Sequence, residues 1–252
     1  VIAARRIQRM KKQVRAPQFK AEASRARDGI AMIYDIAGFS AFFNQPDVHK
    51  YMPKYLNHVA NCIDVCVFGG DAYWMLKPEA KKMEPLQLLP DHRKFLGDGA
   101  LYIWAPPKSE QLTSAFIVYL ANRLWNVQRS FKLINAACAD EIPFFELPSG
   151  IRFGLARGTV FELSLTDSHE KEYIGICVNL ASRLDKYCAG LNFIASARLD
   201  IPKTEIEKHG YCKTVATNIK GFPKEVVVVD KNEYKQLDES LKKQLFIPFT
   251  NT

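Results

Sequence analysis

Three short segments hold side chains that could handle a phosphorylated substrate and its counter-ions. The first is Ile30-Ala31-Met32-Ile33-Tyr34-Asp35-Ile36, an apolar run that stops at a carboxylate and leads into Gly38-Phe39-Ser40. The second, Lys94-Phe95-Leu96-Gly97-Asp98-Gly99, sets another aspartate between two glycines. Carboxylates at the ends of neighbouring central strands can share divalent cations, as two-metal phosphoryl chemistry requires. Gly38 lets the backbone approach a phosphate, and the N–H groups opening the next helix can cradle it. Taken singly, each aspartate has a plainer use, Asp35 as a helix cap and Asp98 as a turn residue. The third segment, Glu172 to Leu184, spaces Asn179 and Arg183 at i, i+4 on one helix face, a pattern that a solvated surface pair also shows.

These residues need elements to position them. Residues 30–36 read as a buried strand. Residues 39–67 carry helical spacings interrupted near Pro46 and Pro53, and Gly69-Gly70 ends them. Residues 71–91 read as a long connection. Gly97-Asp98-Gly99 between two apolar segments predicts a hairpin, because those residues tolerate positive φ. Ser109 is placed to cap a helix running to about residue 139. Residues 150–156 and 159–163 read as a strand pair turning at Arg157-Gly158, and residues 164–171 as polar loop. Residues 176–187 are helical, with Val178, Leu180, Ala181 and Leu184 inward. Strands at 211–219 and 225–229 flank a turn at Gly221-Phe222-Pro223, and a charged helix follows over 231–245. Strands outnumber βαβ crossovers, which predicts an α+β domain with a largely antiparallel sheet. There are no internal repeats and no linker within the body, so residues 28–252 are expected to form one domain behind an arm of residues 1–27.

Composition narrows the class. The 252 residues are 48% apolar and 25% charged, which excludes a largely disordered chain. No apolar run is long enough to span a membrane, and the basic start lacks the apolar stretch of a secretory signal. The net charge of +8 lies entirely in the first segment, 1–27, where nine basic groups face Glu22 alone; in the rest of the chain basic and acidic groups balance. Nucleic-acid binding is therefore not expected of the body. In the arm, Ile7, Met10 and Val14 mark a short amphipathic helix ended by Pro17, suited to packing on the body or on a second copy, with electrostatic binding to nucleic acid or an anionic surface as the alternative. Six scattered cysteines without a Cys-x-x-Cys pair read as reduced thiols, with Cys62 and Cys66 as core residues, and point to a cytoplasmic protein. The five histidines form no metal-ligand pattern.

Together the segments resemble the class III nucleotidyl cyclase catalytic domain, the family of adenylyl and guanylyl cyclases. The matching pieces are Asp35-Ile-Ala-Gly-Phe-Ser40, Lys94-Phe-Leu-Gly-Asp98, Gly150-Ile-Arg-Phe-Gly-Leu-Ala-Arg-Gly158, Ile174-Gly175, Val178-Asn-Leu-Ala-Ser-Arg-Leu184 and, more weakly, Ile219-Lys220-Gly221. They run in the family's order through about four-fifths of the chain.

The resemblance implies a ferredoxin-like α+β domain working as a head-to-tail homodimer with sites in the cleft between copies. It assigns Asp35, Asp98 and the Ile36 carbonyl to two Mg²⁺ or Mn²⁺ ions. Asn179 would orient the ribose and Arg183 would stabilise charge on the α-phosphate, both from the opposite protomer. Gly38, Phe39 and Ser40 would lie along the phosphates, which Lys220 or Lys224 would help neutralise. The family's usual lysine after the Lys-Gly pair is Phe222 here. Lys94 takes the place of the adenylyl cyclases' base-reading lysine, with Glu172 as its partner and Ile33 lining the pocket beside Tyr34.

A lysine donor and a carboxylate acceptor suit adenine, uracil and guanine, and suit cytosine less readily. Glu172 has other readings as a surface residue or a partner of Lys171 or Arg93. Two departures point away from a standard adenylyl cyclase. Asp35 and Asp98 stand farther apart along the chain than the family's usual spacing, and Phe161-Glu162-Leu163 replaces a glycine-containing turn. The chain as a whole looks like the bacterial pyrimidine cyclases of anti-phage signalling, which make cyclic UMP or cyclic CMP for a separate effector protein. UTP is the favoured substrate and CTP the second. The alternatives are a stand-alone adenylate cyclase, or a catalytically silent nucleotide- or nucleic-acid-binding module.

Overall fold

The computed structural model describes residues 25–72, 74, 82–107, 111–139, 142, 146–164 and 171–249. The helical reading of the arm and the Ser109 cap lie outside them.

Strand β1 (Arg27–Ala37) is the centre of the molecule. It pairs antiparallel with β5 (Gly99–Trp104) on one side and with β6 (Gly150–Ser164) on the other. The order across the nine-stranded sheet is β11-β9-β10-β8-β6-β1-β5-β4, with β7 (Lys171–Gly175) folded back on β6. Here β4 is His92–Phe95, β8 Phe193–Ser196, β9 Tyr211–Ile219, β10 Phe222–Asp230 and β11 Phe246–Ile247. Every pairing in it is antiparallel except β6 with β8. The expected α+β class with a mostly antiparallel sheet is the class observed.

Both faces of the sheet are covered. Alternate residues of β1 enter two separate cores: Ile30, Met32, Tyr34 and Ile36 join one, Ala31 and Ile33 the other. The first core lies under α2 (Met52–Phe68) and α3 (Ser114–Ala139). The second lies under α4 (Ile176–Asp185) and the C-terminal helices α6 (Lys231–Gln236) and α7 (Glu239–Leu245). Short α1 (Phe39–Phe43) follows β1 directly, and α5 (Lys203–Lys208) precedes β9. Cys62 and Cys66 sit buried on the inward face of α2, as core thiols. No described helix is long and apolar enough to cross a membrane.

Several local readings are corrected. Arg157-Gly158 is no turn: β6 runs unbroken for 15 residues, because Arg157 pairs across the ladder with Asp28 at 2.6 Å and Gly158 sits opposite Gly29 in β1. Helix α3 starts at Ser114, where the Thr113 hydroxyl accepts from the Phe116 N–H at 3.1 Å. The charged helix over 231–245 is two helices, each capped by an aspartate, Asp230 and Asp238. Arg27, counted with the arm, belongs to β1 and bonds Glu162 and the Ala105 carbonyl.

The described parts of the connection between α2 and β4 pack on the helical face. They include the short pair β2 (Gly70–Asp71) and β3 (Lys82–Met83). Arg123 of α3, 5% exposed, donates to the carbonyls of Cys66, Val67 and Glu84 and stacks on Tyr119 at 4.3 Å. A cation there meets the carbonyl end of α2, where the helix dipole is negative. Gly69 is required at the crossing: it has φ of +99°, and a Cβ would stand 2.6 Å from the Glu84 carbonyl oxygen.

Candidate active site

Asp35 and Asp98 meet at one end of the sheet. The apolar run of β1 carries Asp35 near the end of the strand, and its side chain is 15% exposed. Asp98 lies at the tip of the β4–β5 hairpin, where Gly97 has φ of +97° and the Leu96 N–H donates to the Gly99 carbonyl at 2.9 Å. The tip is fastened to β1 by the Ile36 N–H, which donates to the Asp98 carbonyl at 2.9 Å. Gly99 faces Asp35 across the ladder, and any Cβ there would lie 1.9 Å from the Tyr34 carbonyl oxygen. The hairpin predicted from Gly97-Asp98-Gly99 is thus the device that brings together two carboxylates far apart along the chain.

The two carboxyl groups lie within hydrogen-bonding reach of each other. Burial holds the Asp98 pKa above the ordinary carboxylate range, and the neighbouring charge of Asp35 adds to it. Such a pair is a fitting seat for divalent cations, whose charge removes the repulsion. Among the described residues no third His, Cys, Asp or Glu is placed to share a metal ion with them. Two carboxylates and a backbone carbonyl suit Mg²⁺ or Mn²⁺, which take their remaining ligands from water and substrate phosphates.

Asn179 and Arg183 stand on the exposed face of α4, while Cys177, Leu180, Ala181 and Leu184 anchor the other face. Two glycines set the closeness of α4 to the sheet. A Cβ on Gly154 would meet the Ala181 carbonyl oxygen at 2.2 Å, and one on Gly175 the Thr159 carbonyl oxygen at 2.1 Å. Lys94 of β4 and Glu172 of β7, distant in sequence, form an ion pair. The other candidate partners are engaged elsewhere: Lys171 with Glu162 at 2.9 Å, and Arg93 with Asp64 at 2.5 Å. So the donor and the acceptor read as a base-recognition pair do occupy one place.

No protein-family model and no curated protein matches this chain. Solved structures do. The chain is similar to the adenylyl cyclase CyaB from P. aeruginosa, with a TM-score of 0.57 and 18% identity over 82% of this chain and 96% of that one. It is similar to the guanylyl cyclase Cya2, with a TM-score of 0.52 and 17% identity over 83% and 93%. The guanylate cyclase domain of RhGC from Catenaria anguillulae, solved with GTP, gives 0.52 and 17% over 82% and 97%. This is the class III nucleotidyl cyclase fold.

Within the cyclase fold, two cavities flank the residues described. One of about 430 Å³ is lined by Phe39, Ser40, Phe43, Asn44, Leu96, Gly97 and Asp98, so the segment after Gly38 and the second carboxylate share a wall. Gly38 itself has φ of +84° and opens α1, its carbonyl accepting from the Phe42 N–H at 3.1 Å. The other cavity, of about 410 Å³, brings Arg183 and Lys220 together from α4 and the β9–β10 turn. Ile33 lines neither cavity. It is 7% exposed and packs in the second core, with Tyr34 on the opposite face.

Two charged residues beside the carboxylates were not singled out from the sequence. Arg152 lies directly opposite Asp35 in the β1–β6 register and donates to its carboxylate. Asp185, at the end of α4, is 2% exposed with no hydrogen-bond partner for either oxygen among the described residues. Burial, with the charge of Asp35 added, pushes its pKa up to about 7, while Arg152 and Lys186 pull the other way. Strand register joins Arg152 to the site, and register is a tertiary property.

Proposed function

We propose that this protein is a nucleotidyl cyclase, converting a nucleoside triphosphate, UTP in preference, to its 3′,5′-cyclic monophosphate and pyrophosphate. The carrying observation is the fastening of Asp35 and Asp98 together at the end of β1, in a fold shared with adenylyl and guanylyl cyclases. In the reaction the ribose 3′-oxygen bonds to the α-phosphorus, the bond to the β-phosphate breaks, and the hydroxyl proton passes to solvent. Two divalent ions held by Asp35, Asp98 and the Ile36 carbonyl would supply activation of the 3′-hydroxyl and neutralise phosphate charge. Arg183 offers a planar fork of donors to the α-phosphate oxygens as charge grows there, and Asn179 one turn away holds the ribose. The backbone after Gly38 and the Lys220 ammonium hold the terminal phosphates.

Lys94 and Glu172 read the base: the ammonium donates to uracil O4 and the carboxylate accepts from N3–H. Asn179 and Arg183 are exposed, and Phe95, Leu96, Ile174 and Ile176, also exposed, adjoin the base readers or open the same helix. Apolar surface of this kind supports a second copy covering it, in a head-to-tail homodimer whose sites combine both chains. With the likeness to anti-phage pyrimidine cyclases, the product would act as a second messenger for a separate effector. The same reader pair also serves adenine N1 and N6, and the likeness to CyaB keeps adenylate cyclase as the second reading.

The test is incubation of the protein with Mn²⁺ and equal ATP, GTP, CTP and UTP, with products identified by mass spectrometry. Cyclic UMP as the main product is expected, and its loss in the Asp35→Ala, Asp98→Ala double variant. Cyclic AMP as the main product would overturn the pyrimidine preference, and no cyclic product at all would leave a silent binding module.

A further inference from the structure

The cavity of about 410 Å³ at the end of α4 holds three cations, and only two of them have been given a task. Its lining includes Arg183 and Lys186 from the end of α4 and Lys220 from the β9–β10 turn. All three are exposed and none makes an ion pair or side-chain hydrogen bond among the described residues, although the Asp98 and Asp185 carboxylates lie near enough to Lys186 to feel its charge. Three like charges around one cavity repel one another, and a multivalent anion shared among them removes that repulsion.

The backbone that carries the three is held by hydrogen bonds. The Tyr187 hydroxyl, next to Lys186, donates to the Thr217 carbonyl at 2.7 Å, accepts from the Thr217 N–H at 3.0 Å and reaches the Leu245 carbonyl. These bonds tie the end of α4 to β9 and to the end of α7. Asn218, in the left-handed region with φ of +59°, turns the chain into the Lys220-Gly221 corner, where Gly221 has φ of +83°. The rim that carries the charges therefore rests on a hydrogen-bonded base.

We infer that Lys186 is a polyphosphate-binding residue, the third member of a cradle with Arg183 and Lys220 that grips the triphosphate of the nucleotide. It supplies the charge left missing by Phe222 after the Lys220-Gly221 pair. This inference rests on the cyclase reading for its biological ligand, but the anion site itself does not.

The probe is inorganic tripolyphosphate, titrated calorimetrically into the full chain. Lys186→Ala weakens its binding roughly tenfold, as expected for one charge-assisted contact. Lys186→Arg retains the affinity, and Lys203→Ala, on a different cavity, leaves it unchanged. Lys186→Ala also raises the KM for the nucleotide more than it lowers kcat. Wild-type affinity in Lys186→Ala, or no tripolyphosphate binding by the wild type, would overturn the inference. If no cyclic nucleotide forms yet tripolyphosphate binding still falls in Lys186→Ala, the cradle stands and the cyclase reading fails. If cyclic nucleotide forms and Lys186→Ala changes neither affinity nor KM, the reverse holds.

Discussion

Asp185 is a carboxyl group enclosed by protein with both oxygens unpartnered among the described residues, a state that favours its protonated form. Its folded pKa of about 7 lies above the unfolded value of 3.8, so between those limits the native chain keeps a proton that the unfolded chain has lost. The stability this group contributes is full below about pH 4 and is lost as pH rises through 7. The difference is on the order of 4 kcal/mol. Asp185→Asn keeps the shape without the charge. In metal-free buffer it should match the wild type at pH 4 and be more stable at pH 8, read from denaturant midpoints. An equal gap at both pH values would contradict this account. Lys94 belongs to the same scale. Lys94→Ala should lower kcat/KM for the preferred nucleotide by roughly 10- to 100-fold, leaving tripolyphosphate affinity unchanged. Measured turnover on all four nucleotides would show whether discrimination falls with it.

At the scale of elements, what could be read from the sequence was what is local. The apolar run ending at Asp35, the Gly97-Asp98-Gly99 tip and the i, i+4 spacing of Asn179 and Arg183 each carry their own conformational instruction, and each stands as expected. What escaped needed partners. Gly158 looks like a turn residue until Gly29 and the Arg157–Asp28 pair hold it in a ladder. Strand β8 is four residues long, and only its seat between β6, which it meets parallel, and β10, which it meets antiparallel, makes it a strand. The charges of Arg152 and Asp185 meet Asp35 through register and helix docking, which no spacing along the chain encodes. The docking of α4 can be tested directly. Gly154→Ala inserts a methyl against the Ala181 carbonyl and the Asp185 backbone, and α4 must move off β6. Overpacking of this kind costs roughly 2–3 kcal/mol, or about 5–10 °C of melting temperature, with loss of activity through the displaced Asn179 and Arg183. A melting curve superposed on that of the wild type would contradict the account.

For the whole molecule, the proposed division of labour between two copies makes a sharp demand. Asp98→Ala keeps Asn179 and Arg183, while Arg183→Ala keeps both carboxylates. Each variant alone should be inactive, yet an equimolar mixture should recover about a quarter of wild-type activity. Half the dimers are then mixed, and each mixed dimer has one complete site of its two. No recovery in a mixture shown by size measurement to exchange subunits would place all the residues of a site within one chain. The same molecule carries a simpler consequence in its hairpin tip. Because the Ile36 N–H clasps the Asp98 carbonyl directly, the hairpin tip is fastened to β1 without help from the connection between α2 and β4. A change in the length of that connection should leave the two carboxylates at their present separation. The connection is the natural place to graft a foreign sensor: a guest domain there would hang beside the helical face, its ends close together, with the chemistry left undisturbed.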